Sequence, residues 1–80
     1  MNAIQNPFEW LSSKIPESER EAIKLAVANT YRQTPSWEDM TTMFRVWNTY
    51  VSADEPQDIN CRGCRTKVVG KLRNVVQLWE

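Results

Sequence analysis

The 80-residue sequence contains no histidine, only two cysteines and only two glycines. Without histidine neither a Ser-His-Asp nor a Cys-His nucleophile pair can be built, and the commonest metal ligand is missing. A glycine-rich loop able to cradle a phosphate is missing too. No stretch approaches the roughly 18 apolar residues of a membrane span. Residues 1–10 do not follow the basic, apolar, small-residue order of a secretory signal. These absences predict a non-enzymatic cytoplasmic protein that is not secreted, makes no use of a membrane and needs no cofactor.

What is present is an ordinary globular composition, 41% hydrophobic and 25% charged. A chain this short buries only about 60% of its unfolded surface, so its core is marginal unless something else supports it. Ten basic side chains balance ten acidic ones, but unevenly. Residues 1–60 carry five basic and nine acidic groups, whereas residues 61–80 carry five basic and one acidic. Such a split points to an anionic partner or to pairing of the chain with itself.

Prolines and polar turns divide the chain into helical segments over about 7–13, 17–33, 36–51 and 61–79. Asn6-Pro7 reads as an N-cap followed by proline at the first helical position. Phe8, Leu11 and Ile15 share one side of this short helix. The second segment opens with an acidic first turn, suited to the helix dipole, and has an inner stripe of Ile23, Ala26, Val27, Thr30 and Tyr31, with Leu25 opposite. Ser36 and Asp39 form a variant capping box for the third. Its apolar residues, from Trp37 and Met40 through Met43, Phe44, Val46 and Trp47 to Tyr50 and Val51, span about half the circumference. A helix with so wide a stripe contacts two neighbours or a partner. Asn60 is the expected N-cap of the last segment, where Cys61, Cys64, Val68, Leu72, Val75 and Trp79 repeat at helical spacing. No hairpin signal appears. The expected fold is all-α, a compact single-domain bundle of three main helices plus a short N-terminal one.

Cys61-Arg62-Gly63-Cys64 at a helix start is the sharpest motif, with three readings. A thiol near the positive end of a helix and beside arginines favours its thiolate, as in a redox pair. Two thiols also make half of a zinc site that a second chain would complete. The third reading is that both are small core side chains on the side of Val68 and Leu72. Arg62, Arg65, Lys67, Lys71 and Arg73 are candidates for contacting nucleic acid or an acidic partner. Their angles set Arg62 and Arg73 along one margin of the stripe and Lys67 and Lys71 along the other. Internal pairing with Glu17, Glu19, Glu21, Asp54, Glu55 and Asp58 is the simpler use. Behind the stripe, Gly63, Thr66, Gly70, Asn74 and Gln77 form an uncharged strip that suits close approach of another backbone. Four tryptophans together with Phe8, Phe44, Tyr31 and Tyr50 exceed what so small a core encloses. Trp10, Trp37, Met43, Trp47, Tyr50, Trp79, Gly63 and Gly70 are therefore candidate interface residues.

The run SWEDMTTMFRVWNTYV, a short acidic loop and DINCRGCRTKVVGKLRNVV together resemble small helical Cys-x-x-Cys proteins of tailed bacteriophages, including crAss-like phages of Bacteroidetes. The resemblance covers about half the chain. It implies a phage product acting in the virion as an accessory head or neck component, or in the infected cell on a host protein, and it transfers no catalytic residues. The leading expectation is thus a phage-type interaction protein that associates through aromatic and apolar helix surfaces, as a homo-oligomer or within a larger assembly. Alternatives are a nucleic-acid-binding or host-transcription-modulating module using the basic last helix, and a thiol-redox or zinc-linked dimer.

Overall fold

The structure, a computed structural model, describes residues 7–80; the expected cap at Asn6 lies outside them. The architecture is the all-α bundle that the apolar spacing predicts, with helices α1 (Pro7–Lys14), α2 (Glu17–Thr30), α3 (Trp37–Val46) and α4 (Arg62–Leu78) and no strand among the described residues. A single π-helical turn, Trp47–Val51, extends α3.

Each boundary has a local cause. Pro16 separates α1 from α2; its extended backbone serves as the N-cap of α2 and its carbonyl accepts from Glu19 N–H at 2.9 Å. Helix α2 stops at Thr30, three residues earlier than the sequence suggests. The amides of Tyr31, Arg32 and Gln33 fold back onto Ala28 and Asn29 in a tightened last turn, and Pro35 then pushes Thr34 out of the helical region. Ser36 Oγ accepts from Asp39 N–H at 3.1 Å and caps α3. The capping box is not completed, because both Asp39 carboxylate oxygens accept instead from Asn29 Nδ2 on α2 at 3.3 Å. The cap of α4 is Cys61 rather than Asn60: Asn60 N–H donates to Asp58 Oδ1 in the preceding turn, leaving the cap position to the next residue.

The core is drawn from all four helices. Leu11 and Ile15 come from α1 and its end, Ile23, Ala26 and Val27 from α2, and Val68, Leu72, Val75 and Val76 from α4. Helix α3 supplies Met40, Met43, Phe44 and Val46, with Trp47 beyond its end. Fully burying one such aliphatic side chain stabilises by about 1.5–3 kcal/mol. The wide stripe of α3 is explained by its place between α2 and α4, both of which pack on it. Tyr31, assigned by spacing to the inner stripe of α2, is 62% exposed. It follows the last helical residue, where 100° periodicity no longer holds.

The π turn was not foreseen. Its closing bond runs from Ser52 N–H to Trp47 C=O at 2.8 Å. Next to it, Asn48 exchanges two hydrogen bonds with the Gln57 backbone, donating to its carbonyl at 3.0 Å and accepting from its amide at 2.8 Å. This side-chain clasp fixes the polar connection from Ser52 to Cys61 against the π turn.

Candidate functional site

Two features arise where the helices meet: a groove between α1 and α4, and a dithiol at the start of α4. Helix α1 lies against α4 and against the π turn. Between them runs an open groove of about 350 Å³, with Phe8, Leu11, Trp47 and Val51 among its apolar lining. Trp10 flanks it and is 57% exposed, with Lys14 Nζ 4.3 Å from its ring centroid. Lys67 and Lys71, one turn apart on α4, line the opposite side. Neither forms an ion pair, the one ion pair among the described residues being Arg45–Glu19. The indole N–H of Trp47 is buried and meets no acceptor. The groove therefore combines an apolar surface with positive charge, and nothing within the described chain neutralises that charge.

The last-helix cations do not dock onto the chain's own acids as internal pairing required. Arg73 is instead drawn to α2. Its Nε donates to Thr30 Oγ1 and its Nη2 to Thr30 C=O, both at 3.1 Å, and the guanidinium carbon stands 4.5 Å from the Tyr31 ring centroid. A cation at the negative end of α2 is thereby satisfied by a carbonyl the helix leaves open. Arg62 is exposed near the start of α4, while Arg65 edges two hollows beside Pro35 and Met40. The five cations are thus spread over separate flanks of α4 and form no single basic patch.

Several candidate interface residues are core residues. Met43 is 0% exposed and Trp47 3%, so neither presents a docking surface beyond the sliver of Trp47 in the groove. Their places near the middle of the α3 stripe put them under both neighbouring helices. Trp79 is half-buried: its Nε1–H donates to Ser12 Oγ at 2.6 Å and the Arg20 guanidinium stands 5.0 Å from its ring centroid. It fastens the end of α4 to α1 rather than projecting from the terminus. Tyr50 is half-buried and donates to Glu19 Oε2 at 3.1 Å. Trp37 is 66% exposed. A Cβ placed on Gly63 or Gly70 would meet nothing within 4 Å, so among the described residues neither glycine serves a close approach.

The two cysteines occupy unlike positions. Cys61 is exposed, and as the cap residue it has extended backbone, φ −88° and ψ 122°, outside the helical register that seemed to turn it inward. Cys64 is half-buried and packs against the core. The shared-core reading therefore fails for Cys61. Cys61 Sγ accepts from Cys64 N–H at 3.3 Å. The hydrogen bond between the two side chains is the largest influence on both groups, holding the Cys61 thiol below its ordinary range and pushing Cys64 above it. Backbone donors near Cys61 act in the same downward direction, while Asp58 opposes them. Among the described residues no group of three or more His, Cys, Asp or Glu side chains is placed to hold a metal, so one chain offers zinc two sulfurs.

Sequence reasoning missed Phe8, Leu11 and Lys14 as contributors to the groove region. One signal was available: Lys14 follows Trp10 by four residues, the spacing that stacks a cation over a ring on the same helix face. No helix among the described residues is long and apolar enough to cross a membrane. No protein-family model, no curated protein and no solved structure matches this chain.

Proposed function

We propose that this chain is a non-enzymatic interaction domain that assembles with copies of itself, the outer face of α2 of one copy seating in the α1–α4 groove of the next. The observation that carries this reading is the complementarity in charge and apolar character of two exposed surfaces. On α2, Leu25 is 66% exposed, and exposed Glu17, Glu21, Ala22 and Ala28 share its outer face. That face is an amphipathic surface on which Glu17 and Glu21 outnumber Lys24, with small residues beside one large apolar side chain. The groove presents the matching features, apolar walls and the unpaired ammonium groups of Lys67 and Lys71. The apolar contact supplies affinity, and the charge match fixes orientation and partner choice.

Because the two surfaces differ, the contact is heterologous and propagates from copy to copy, closing into a ring or continuing as a filament. A repeating assembly of this kind suits a structural component. On the likeness of residues 37–79 to helical phage proteins, we place it as an accessory part of a virion or of a phage-directed complex in the infected cell. Size-exclusion chromatography with light scattering tests the reading. The mass of the wild-type chain is expected to rise with concentration, and Leu25→Arg to hold it at one chain. A Leu25→Arg variant that assembles like the wild type removes α2 from the interface and contradicts the proposal.

A further inference from the structure

Cys61 and Cys64 stand apart from the groove and take no part in the assembly just described. Their arrangement is asymmetric in three independent respects. Cys61 is exposed, lies outside the helix and has room to be approached; Cys64 is half-buried one turn on, inside the helix. The Cys61 sulfur is the acceptor of the Cys64 amide, the interaction that a helix start offers to a negative atom. A small hollow of about 150 Å³ lies close to the pair in sequence, lined by Pro35, Trp37, Met40 and Ile59 with Asn60, immediately before Cys61, and Arg65, immediately after Cys64; neither cysteine lines it. An exposed attacking thiol and a sheltered second thiol one turn away are the parts that thiol–disulfide exchange requires.

We infer that Cys61 and Cys64 form a thiol–disulfide exchange pair, Cys61 attacking and Cys64 resolving, with an anionic low-molecular-weight peptide disulfide as the oxidant. Cys61 thiolate attacks one sulfur of the oxidant, forming a mixed disulfide and expelling the other half as a thiolate. Cys64 then loses its proton to solvent and attacks Cys61 Sγ. The Cys61–Cys64 bond forms, the mixed disulfide breaks, and the second half of the oxidant leaves. In sum, one protein dithiol is oxidised and one disulfide is reduced to two thiols. The exposed cap position of Cys61 allows its side chain to swing towards Cys64 without unwinding α4. Arg62, between the two thiols, and Arg65, just after them, supply positive charge for the anionic reagent, whereas Asp58 opposes the thiolate.

The test uses the full reduced chain and oxidised glutathione under anaerobic conditions, read by intact mass. The wild type is expected to lose two hydrogens and to retain no glutathione, whereas Cys64→Ser retains one glutathione on Cys61. Cys64 packs against the core, so alkylation of the wild-type chain near neutral pH provides a readout that depends on no variant. Cys61 is expected to react about tenfold or more faster than Cys64, following its larger thiolate fraction and exposure. Equal alkylation of the two thiols overturns the assignment, as does a wild-type chain that stalls with glutathione attached. Zinc supplies a further arm. If two chains capture one ion and both thiols then resist the oxidant at equal free zinc and glutathione disulfide, the pair is a metal site and the inference fails.

Discussion

Arg73 on α4 grips the last residue of α2, donating from two of its nitrogens to the hydroxyl and the carbonyl of Thr30 at 3.1 Å each. Forty-three positions separate the two residues in sequence, so the contact ties the end of one main helix to the middle of another. It also accounts for one of the five α4 cations that, among the described residues, form no ion pair with the acidic body: Arg73 is taken by a helix terminus. Arg73→Met is expected to lower unfolding free energy by about 1–3 kcal/mol, since it leaves the Thr30 carbonyl without its donor, while the Thr30 hydroxyl keeps its bond to Val27 C=O. Lysine lacks the two-pronged donor geometry and should recover only part of the loss. Denaturant unfolding at unchanged slope measures it; a lysine variant equal to the wild type contradicts the two-donor account.

Glu19 gives the fold an acid-sensitive joint. Its carboxylate accepts from both terminal nitrogens of Arg45 at 2.9 and 3.0 Å and from Tyr50 Oη at 3.1 Å. The Arg45 hydrogen bonds, with Tyr50 assisting against desolvation, hold its carboxyl below the ordinary 4.5. A carboxylate depressed in the folded state stabilises fully above its unfolded pKa and loses that contribution as pH falls through the folded value. Between about pH 5 and about pH 3, Glu19→Gln should therefore lose less stability than the wild type. Parallel pH curves for the two proteins would show that the joint contributes nothing.

The Asn48–Gln57 clasp is expected to govern the connection before α4. Asn48→Ala removes both bonds and should cost about 1–2 kcal/mol, in line with two part-buried hydrogen bonds. Hydrogen exchange at the Gln57 amide, which now donates to Asn48 Oδ1, should accelerate more than exchange at amides within α2. Uniform acceleration across the chain would mean global destabilisation without local release.

Gly70 lies in mid-helix with open space where its side chain would be. Gly70→Ala should stabilise the chain by about 1 kcal/mol and raise Tm by about 4–8 °C. The assembly proposed above leaves this face free, so association should be unchanged. A variant that is more stable yet no longer assembles would place the uncharged strip of α4 in a contact between copies.

The elements most legible in the sequence were those governed by periodicity and punctuation. Prolines 7, 16 and 35 set the order of the first three helices, and apolar residues at three and four spacing picked out Ile23, Ala26, Val27, Val68, Leu72 and Val75 as core, whereas Met43, expected at an interface, is core as well. Legibility failed at helix ends, where a residue belongs to no register. Tyr31 turned outward just past α2, and Cys61 fell outside α4 as its cap. The π turn after Val46 depends on where Ser52 N–H finds its carbonyl, which spacing does not encode. Trp79 was misplaced for a different reason: its partner Ser12 lies 67 residues away, and only tertiary packing brings the two together. The groove was hidden for the same reason, being built from α1, the π turn and α4 at once.

The proposed contact of α2 in one copy with the lysine-edged groove of another is open to a charge exchange followed by sedimentation velocity. Lys67→Glu/Lys71→Glu and Glu17→Lys/Glu21→Lys should each sediment as a single chain, because in either variant the two surfaces repel. Mixed in equal amounts, they should associate, each groove receiving a face of opposite charge, and added salt should weaken that association. A wild-type chain that stays monomeric up to millimolar concentration contradicts the account, as does a mixture that sediments no faster than its components.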